Sequence, residues 1–324
     1  MSFEILLFGG RNYEHPQRRP IWHQFETAVL LRMREDGEVL QRLEYQGGAI
    51  EREVGLSRCF KAGSVIGDRA YACTNTEVLA VDLRRFAIVE HHTHRLFNDL
   101  HHVNRIADRF FVASTGIDSV LELDASFELV KRYAIANDEV LERYGHEADY
   151  RRVTNTKPHA AHPNYVEAWG GEIWVSNFGN RRVESLTSDR TYELSEFRIH
   201  DGVPAFGRIW FTSVNGRAIT IDPETSTQTV FDLVAMSPPS SRLCGWCRGI
   251  AAISEDEVLV GFTKLRETKA RENLKWIGNN LFGQSFVLGQ PTRIARYDLA
   301  RGRETWRVEL EKLGMDAVFS IHIV

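Results

Sequence analysis

The feature that most constrains the fold is a repeat of short apolar runs, about four in each unit of roughly forty residues. In one unit a turn at 67–69 leads into apolar runs at 70–74 and 78–82, and the same order follows across 107–124. Further copies occupy 170–186, 206–222 and, with an insertion, 255–298. Short β-rich runs separated by regular turns predict the blades of a β-propeller.

The two ends of the chain are incomplete in complementary ways. Residues 319–324 read as an innermost strand with no outer strands after it, while the first runs, at 3–8, 27–33 and 38–45, lack an innermost strand. Pairing them closes the ring and leaves no open sheet edge. The sequence therefore predicts an all-β, six-bladed β-propeller over residues 1–324, with two β-sandwiches as the alternative.

Two insertions, at about 137–157 and 265–292, interrupt this single domain. The first contains Asn137–Gly145, whose early acidic residues and terminal glycine predict a short helix. The second combines a charged run with aromatic residues, which favours a lid over the channel or an oligomer contact over a disordered loop.

Charge and the first residues limit the partners. A net charge of −4 provides no basic field, so neither duplex nucleic acid nor an anionic membrane is expected as a partner. The segment Met1–Gly10 has no basic region, and its apolar run is too short for a signal peptide or a membrane span. We therefore expect a cytoplasmic protein.

Four of the six inner segments carry a histidine at or near the same place. Because the first strand of every blade lines the central channel, these residues should meet there. They are His102, His162, His200 and His322, with His101 and His159 as weaker candidates beside two of them. Imidazole is a preferred ligand of transition metals, so we expect a divalent metal such as Fe, Zn, Mn or Cu. A metal-free, anion-binding channel is the alternative.

The other inner segments carry cations. Arg248, next to Trp246, takes the histidine position in one blade, and Lys61 lies close to it in another. An arginine fork would bind a carboxylate, sulfate or phosphate, so we expect a small anionic substrate. In the alternative interpretation, Arg248 pairs with Asp256 or Glu257.

Polar residues adjoin the histidines as well. Asn104 and Asn164 each lie two places beyond one, and Asp201 follows another. Such groups could fix the tautomer of a ligating ring and contact substrate, or they could simply serve turns. We expect Arg248 and Asp201 to be catalytic, and the substrate-binding residues to be Arg248, Lys61, Asn104, Asn164 and Trp246.

Two segments carry a resemblance to known families. Residues 170–176 and 201–212 resemble the "G..IWV" and "DG..WFT" blade motifs of the superfamily that includes NHL-repeat proteins, the SMP-30 and gluconolactonase group, strictosidine synthase relatives and streptogramin lyases. The resemblance implies six blades and a channel site that commonly holds a divalent metal. The chain departs from the gluconolactonase pattern, whose metal is held mainly by Glu, Asp and Asn.

These expectations lead to one function and two alternatives. We expect a metal-dependent hydrolase, lyase or oxygenase that acts on a small anion in a histidine-lined channel. The alternatives are a non-catalytic propeller that binds an anionic small molecule or glycan, and a protein-interaction scaffold that uses the rim and the 265–292 insertion.

Overall fold

The strands of the chain form a ring of six antiparallel sheets. The computed structural model describes residues 3–14, 24–194, 197–239, 245–264 and 290–324. Within these residues, each sheet has four strands, and the first strand of each sheet packs beside that of the next. The predicted six-bladed β-propeller is confirmed.

The strands succeed one another blade by blade. The first twelve are β1 (Glu4–Asn12), β2 (Phe25–Arg34), β3 (Val39–Tyr45), β4 (Ser64–Ile66), β5 (Arg69–Cys73), β6 (Val78–Asp82), β7 (Ala87–His92), β8 (Leu100–Ile106), β9 (Arg109–Ser114), β10 (Ser119–Leu123), β11 (Leu129–Ala134) and β12 (Pro163–Trp169). The others are β13 (Glu172–Asn177), β14 (Arg182–Ser185), β15 (Thr191–Glu193), β16 (Ile199–Ala205), β17 (Arg208–Ser213), β18 (Arg217–Ile221), β19 (Gln228–Asp232), β20 (Trp246–Ala252), β21 (Glu257–Thr263), β22 (Arg293–Asp298), β23 (Arg303–Glu309) and β24 (Ala317–Ile323).

The core lies between neighbouring blades, which explains why the inner strands read as continuous apolar runs. Strand β1 is buried over six consecutive residues, whereas the outer strand β3 buries only Leu43. A strand packed on both faces needs apolar residues at every position, and an outer strand does not. One such core joins Ile5 and Leu7 of β1 to Leu259 of β21 and Val318 of β24.

The two ends of the chain close the ring, as the sequence predicts. Strand β24 pairs antiparallel with β1, placing Ile323 opposite Ile5 and Ile321 opposite Leu7. The order β24-β1-β2-β3 makes the closing blade from both ends of the chain. This closure fixes β24 beside the channel, where it supplies part of the candidate site.

Helices are short and lie in connections between strands. In the residues that the structure describes, the α-helices are α1 (Ala49–Val54), α2 (Glu139–Arg143) and α3 (Leu233–Met236). Single 3-10 turns occur at Thr115–Ile117, Tyr150–Arg152 and Glu311–Leu313. Helix α2 forms within the predicted helical insertion, and Tyr144 caps it one residue before Gly145. Most of the 265–292 insertion lies outside the described residues. In the described parts of the chain, no helix is long and apolar enough to cross a membrane.

Helix α1 carries a fully buried carboxyl group, Glu51. Its Oε1 accepts hydrogen bonds from Thr74 Oγ1 at 2.5 Å and from Thr76 N at 2.9 Å, while Oε2 has no hydrogen-bond partner among the described residues. Burial, reinforced by the neighbouring Glu77 carboxylate, raises the pKa of Glu51 to about 7. Between pH 4.5 and about pH 7, Glu51 therefore tends to hold a proton in the folded protein that it loses in the unfolded chain.

The raised pKa of Glu51 predicts a loss of stability as the pH rises. Between the ordinary pKa of 4.5 and the folded value of about 7, the folded state binds more protons than the unfolded state. We expect the free energy of unfolding to fall by on the order of 2 kcal/mol from pH 5 to pH 8 on this account. Buried histidines with lowered pKa values change stability in the opposite direction over this range, so the test is a difference between two proteins. In urea denaturation, the free energy of unfolding of Glu51→Gln should rise by about 2 kcal/mol relative to the wild type between pH 5 and pH 8.

Glu53 provides the matched control on the same helix. It is exposed, and its hydrogen bond with Arg152 lowers its pKa, so it does not titrate in this pH range. Glu53→Gln should therefore change with pH in parallel with the wild type. A difference between Glu51→Gln and the wild type that stays constant from pH 5 to pH 8 would show that Glu51 does not titrate in this range.

Candidate functional site

Three imidazoles meet at the end of the channel where the inner strands begin. His101 and His200 lie at the starts of β8 and β16, and His162 directly precedes β12. The ring centroid of His101 lies 4.9 Å from that of His162 and 5.7 Å from that of His200. We call these three residues the imidazole cluster. It joins residues that are far apart in sequence because the first strands of neighbouring blades are adjacent.

An aspartate outside the channel fixes the position of His162. Asp118 accepts hydrogen bonds from the backbone N–H groups of Ala160, Ala161 and His162 at 2.7, 3.1 and 2.7 Å. His162 adopts a left-handed backbone with φ of 58°, which this three-bond anchor can hold. Its Nδ1 lies 2.8 Å from Nδ1 of His159, so His159 is a neighbour of the cluster. The sequence analysis missed Asp118, which lies in an ordinary turn between β9 and β10.

Asn164 fixes the tautomer of His101. The Asn164 side-chain nitrogen donates to the carbonyl of Ile199 at 3.4 Å, so its oxygen faces His101 Nδ1, 2.5 Å away, and accepts a hydrogen bond from Nδ1–H. Nε2 of His101 then carries the lone pair and faces Oδ1 of Asp99 at 3.5 Å. The sequence places Asn164 two residues beyond His162, and in the structure its side chain contacts His101 of the neighbouring blade.

Two cations share one aromatic ring beside the cluster. The Phe319 ring, on β24, lies 4.3 Å from the Arg248 guanidinium carbon and 5.0 Å from Lys61 Nζ. The His200 ring is 6.2 Å from that same ring. Lys61 also lies 3.5 Å from Asp99 Oδ1. We call Lys61 and Arg248 the cation pair.

Arg248 forms no ion pair or hydrogen bond with any residue in the described ranges, and its buried Nε is without a partner there. The interpretation in which it pairs with Asp256 or Glu257 is wrong for this structure, because Glu257 bonds Arg296 at 2.9 Å instead. The guanidinium rests on aromatic faces only, 5.5 Å from the Trp246 ring in addition to Phe319. A cation held in this way is available to a ligand.

Burial decides the charge state of the site. It lowers the pKa of His101 to about 4, and the pKa values of His162 and His200 fall well below their ordinary value for the same reason. Burial alone would raise the pKa of Asp99, but Lys61 and His101 hold it well below its ordinary value. At neutral pH the site thus contains neutral imidazoles, one carboxylate and the cation pair.

The structure places other predicted residues away from the imidazole cluster. The His102 ring lies tilted against Tyr165, with ring centroids 4.5 Å apart, and its Nδ1 accepts a hydrogen bond from Val166 N at 3.2 Å. His322 bonds Ser320 Oγ at 3.0 Å and contacts the Phe8 ring. These two histidines tie inner strands together in this geometry.

Asn104 and Asp201 are also set into the channel wall. Asn104 donates to the Val166 carbonyl at 3.3 Å. Asp201 is 2% exposed, and its Oδ1 has no hydrogen-bond partner among the described residues. Burial raises the pKa of Asp201 well above its ordinary value, which favours the protonated form of this side chain.

The donor set of the cluster suits a transition metal, although its atoms do not converge on one point. No group of three His, Cys, Asp or Glu side chains within the described residues is arranged to hold a metal ion. Both ring nitrogens of His200 are nevertheless buried without a hydrogen-bond partner among the described residues, whereas Nε2 of His101 faces Asp99 Oδ1 at 3.5 Å. These atoms are the chemical type that a metal would require.

Solved structures of other proteins share the fold of this chain. A protein of unknown function from Bacteroides caccae has a TM-score of 0.62 at 9% identity, with 99% of each chain covered. A chain of the nidogen–laminin complex has a TM-score of 0.55 at 9% identity, covering 99% of this chain and 98% of that one. The chain is a six-bladed β-propeller.

Virginiamycin B lyase from Staphylococcus aureus is also similar, with a TM-score of 0.47 and 15% identity over 77% of this propeller and 70% of the lyase. No protein-family model matches the chain. Nor does the search of curated proteins find a significant match. The comparisons therefore establish the architecture of this propeller and leave its chemistry to the residues of the channel.

Proposed function

We propose that the propeller binds a small organic anion at the imidazole cluster, through the cation pair. The observation that carries this proposal is Arg248, a guanidinium held on Phe319 without a counter-ion among the described residues. Even partial burial of an unpaired charge is costly, whereas an arginine that meets a carboxylate or phosphate gains strong, charge-assisted hydrogen bonds. A bound anion would supply the missing partner.

The balance of charge around the site supports the same ligand. Asp99 is the carboxylate closest to Lys61, and its 3.5 Å distance from Nζ is at the long limit of a hydrogen bond. One carboxylate facing two cations leaves a net positive charge. The ligand class is therefore a carboxylate, phosphate or sulfate small enough to enter between the inner strands.

The same arrangement can perform acid–base chemistry on a bound anion. Both ring nitrogens of His200 are buried and have no hydrogen-bond partner in the described part of the chain, and the ring lies beside Phe319, which the cation pair also contacts. A neutral imidazole at this place can accept a proton from a ligand that the cation pair orients. Hydrolase or lyase chemistry is the catalytic form of this proposal, and anion binding without chemistry is its simpler form.

A metal-dependent form is the second candidate, favoured by the orientation of His101. Asn164 accepts a hydrogen bond from Nδ1–H of His101, as the outer partners of metal-bound histidines do, and this leaves the lone pair on Nε2, which faces Asp99. His101, His162 and His200 would hold the ion. A transition metal bound there would act as a Lewis acid on the anion.

Binding measurements with and without chelator test both candidates. Protein purified without a histidine tag should be titrated calorimetrically with short carboxylates, phosphates and sulfates, before and after EDTA treatment. Saturable binding that survives EDTA supports the metal-free site. Metal recovered from the wild type and lost in both His162→Ala and His200→Ala supports the metal site. If none of these anions binds under either condition, the proposal is wrong.

A further inference from the structure

A cavity lies outside the channel, between the blade of β20–β23 and the closing blade. Its volume is about 240 Å³. Ile5 and Leu259 are buried in its lining, and Phe3 and Trp306 add aromatic surface. We call it the Trp306 cavity. Its apolar lining suits the hydrocarbon part of a small ligand.

Two carboxylates and one arginine supply the polar part of the lining. Arg296 lies 2.9 Å from Glu257 but 3.7 Å from Glu35, so Glu35 is the weakly paired carboxylate. Because two carboxylates and one guanidinium line the cavity, the net charge of the lining is negative. An aromatic ring together with an underpaired carboxylate is the combination that attracts an organic cation.

We propose that the Trp306 cavity binds small organic cations, primary ammonium groups carried on an apolar body. The ammonium group lies against Glu35 and the face of Trp306, and the apolar body occupies the space over Ile5 and Leu259. Arg296 remains on Glu257, the closer of its two carboxylates. This ligand has the opposite charge to the one proposed for the channel, and the two proposals stand independently.

The test compares three probes of similar shape and different charge. Phenethylammonium, 2-phenylethanol and 3-phenylpropanoate should be titrated while the indole N–H signal of Trp306, assigned with Trp306→Phe, is followed by NMR. We expect phenethylammonium to saturate with about fivefold higher affinity than the alcohol, and 3-phenylpropanoate to bind weakest. Equal binding of the amine and the alcohol, or no saturable shift of this signal, overturns the proposal.

Substitutions localise the effect. Glu35→Gln should reduce the affinity for phenethylammonium about fivefold and leave 2-phenylethanol unchanged. Glu38→Gln is the matched control, because Glu38 belongs to the same hairpin but pairs with Arg34 outside the cavity lining. Amine binding that is unaffected by Glu35→Gln, or equally reduced by Glu38→Gln, would contradict the assigned site.

Discussion

Replacing Arg248 by methionine should produce two effects of opposite sign. Anion affinity should fall about 100-fold, because removing one partner of a buried charge pair costs several kcal/mol. The ligand-free protein should instead gain about 1 kcal/mol of unfolding free energy, because a partly buried cation without a counter-ion among the described residues is removed and methionine keeps the contact with Phe319. Calorimetric titration and urea denaturation measure the two effects separately.

Two further substitutions distinguish this explanation from a general loss of structure. Arg248→Lys keeps the charge and loses the planar fork, so it should lie between the wild type and Arg248→Met in affinity. Arg198→Met removes a cation that packs on Phe178 instead of Phe319, and it should reduce affinity much less. If Arg248→Met destabilises the ligand-free protein and leaves anion binding intact, Arg248 is a structural residue.

The fold could be predicted because its determinant is periodic. Each blade must bury both faces of its inner strands, so the repeat of apolar runs is present in the sequence itself. The closing blade could be predicted in a similar way. Counting the apolar runs shows that an inner strand is missing at the start of the chain and that an extra one is present at its end. Helix α2 was predicted for the same kind of reason, since early acidic residues and a late glycine are local signals.

The choice of channel residues was less predictable, because inner strands are irregular where they meet the site. Register shifts occur between Leu100 and His102 in β8, and at the corresponding starts of β12, β16 and β20. A bulge adds a residue and changes the direction of the side chains around it, so simple alternation no longer applies. The sequence thus favoured His102, whereas His101 faces His162 and His200 in the structure.

Other parts of the site depend on tertiary contacts that leave no local signal. Asp118 holds His162 from a turn in the neighbouring blade, more than forty residues away. Phe319 reaches the cation pair only because β24 closes the ring. Neither residue type suggests a functional role in isolation. The inner segments therefore indicate where a site forms, and the closed ring decides which side chains form it.

Removing β24 should abolish both the fold and the candidate site. A chain that ends at Asp316 loses the buried side chains of Val318, Phe319 and Ile321 and the whole pairing with β1. Burial of three such side chains stabilises a protein by about 5 kcal/mol or more, which approaches the total stability of many domains. It also exposes the edge of β1, which makes aggregation the expected outcome.

Deletion of Val324 alone is the control for this truncation. Val324 is 38% exposed and contributes two backbone hydrogen bonds with Glu4, so its loss should change stability only slightly. Thermal unfolding followed by circular dichroism should show a cooperative transition for this control and none for the chain ending at Asp316. A synthetic peptide of residues 315–324 should restore the transition in trans, because it supplies the missing strand together with Phe319. A truncated chain that unfolds cooperatively at the wild-type midpoint would show that closure by β24 does not hold the ring together.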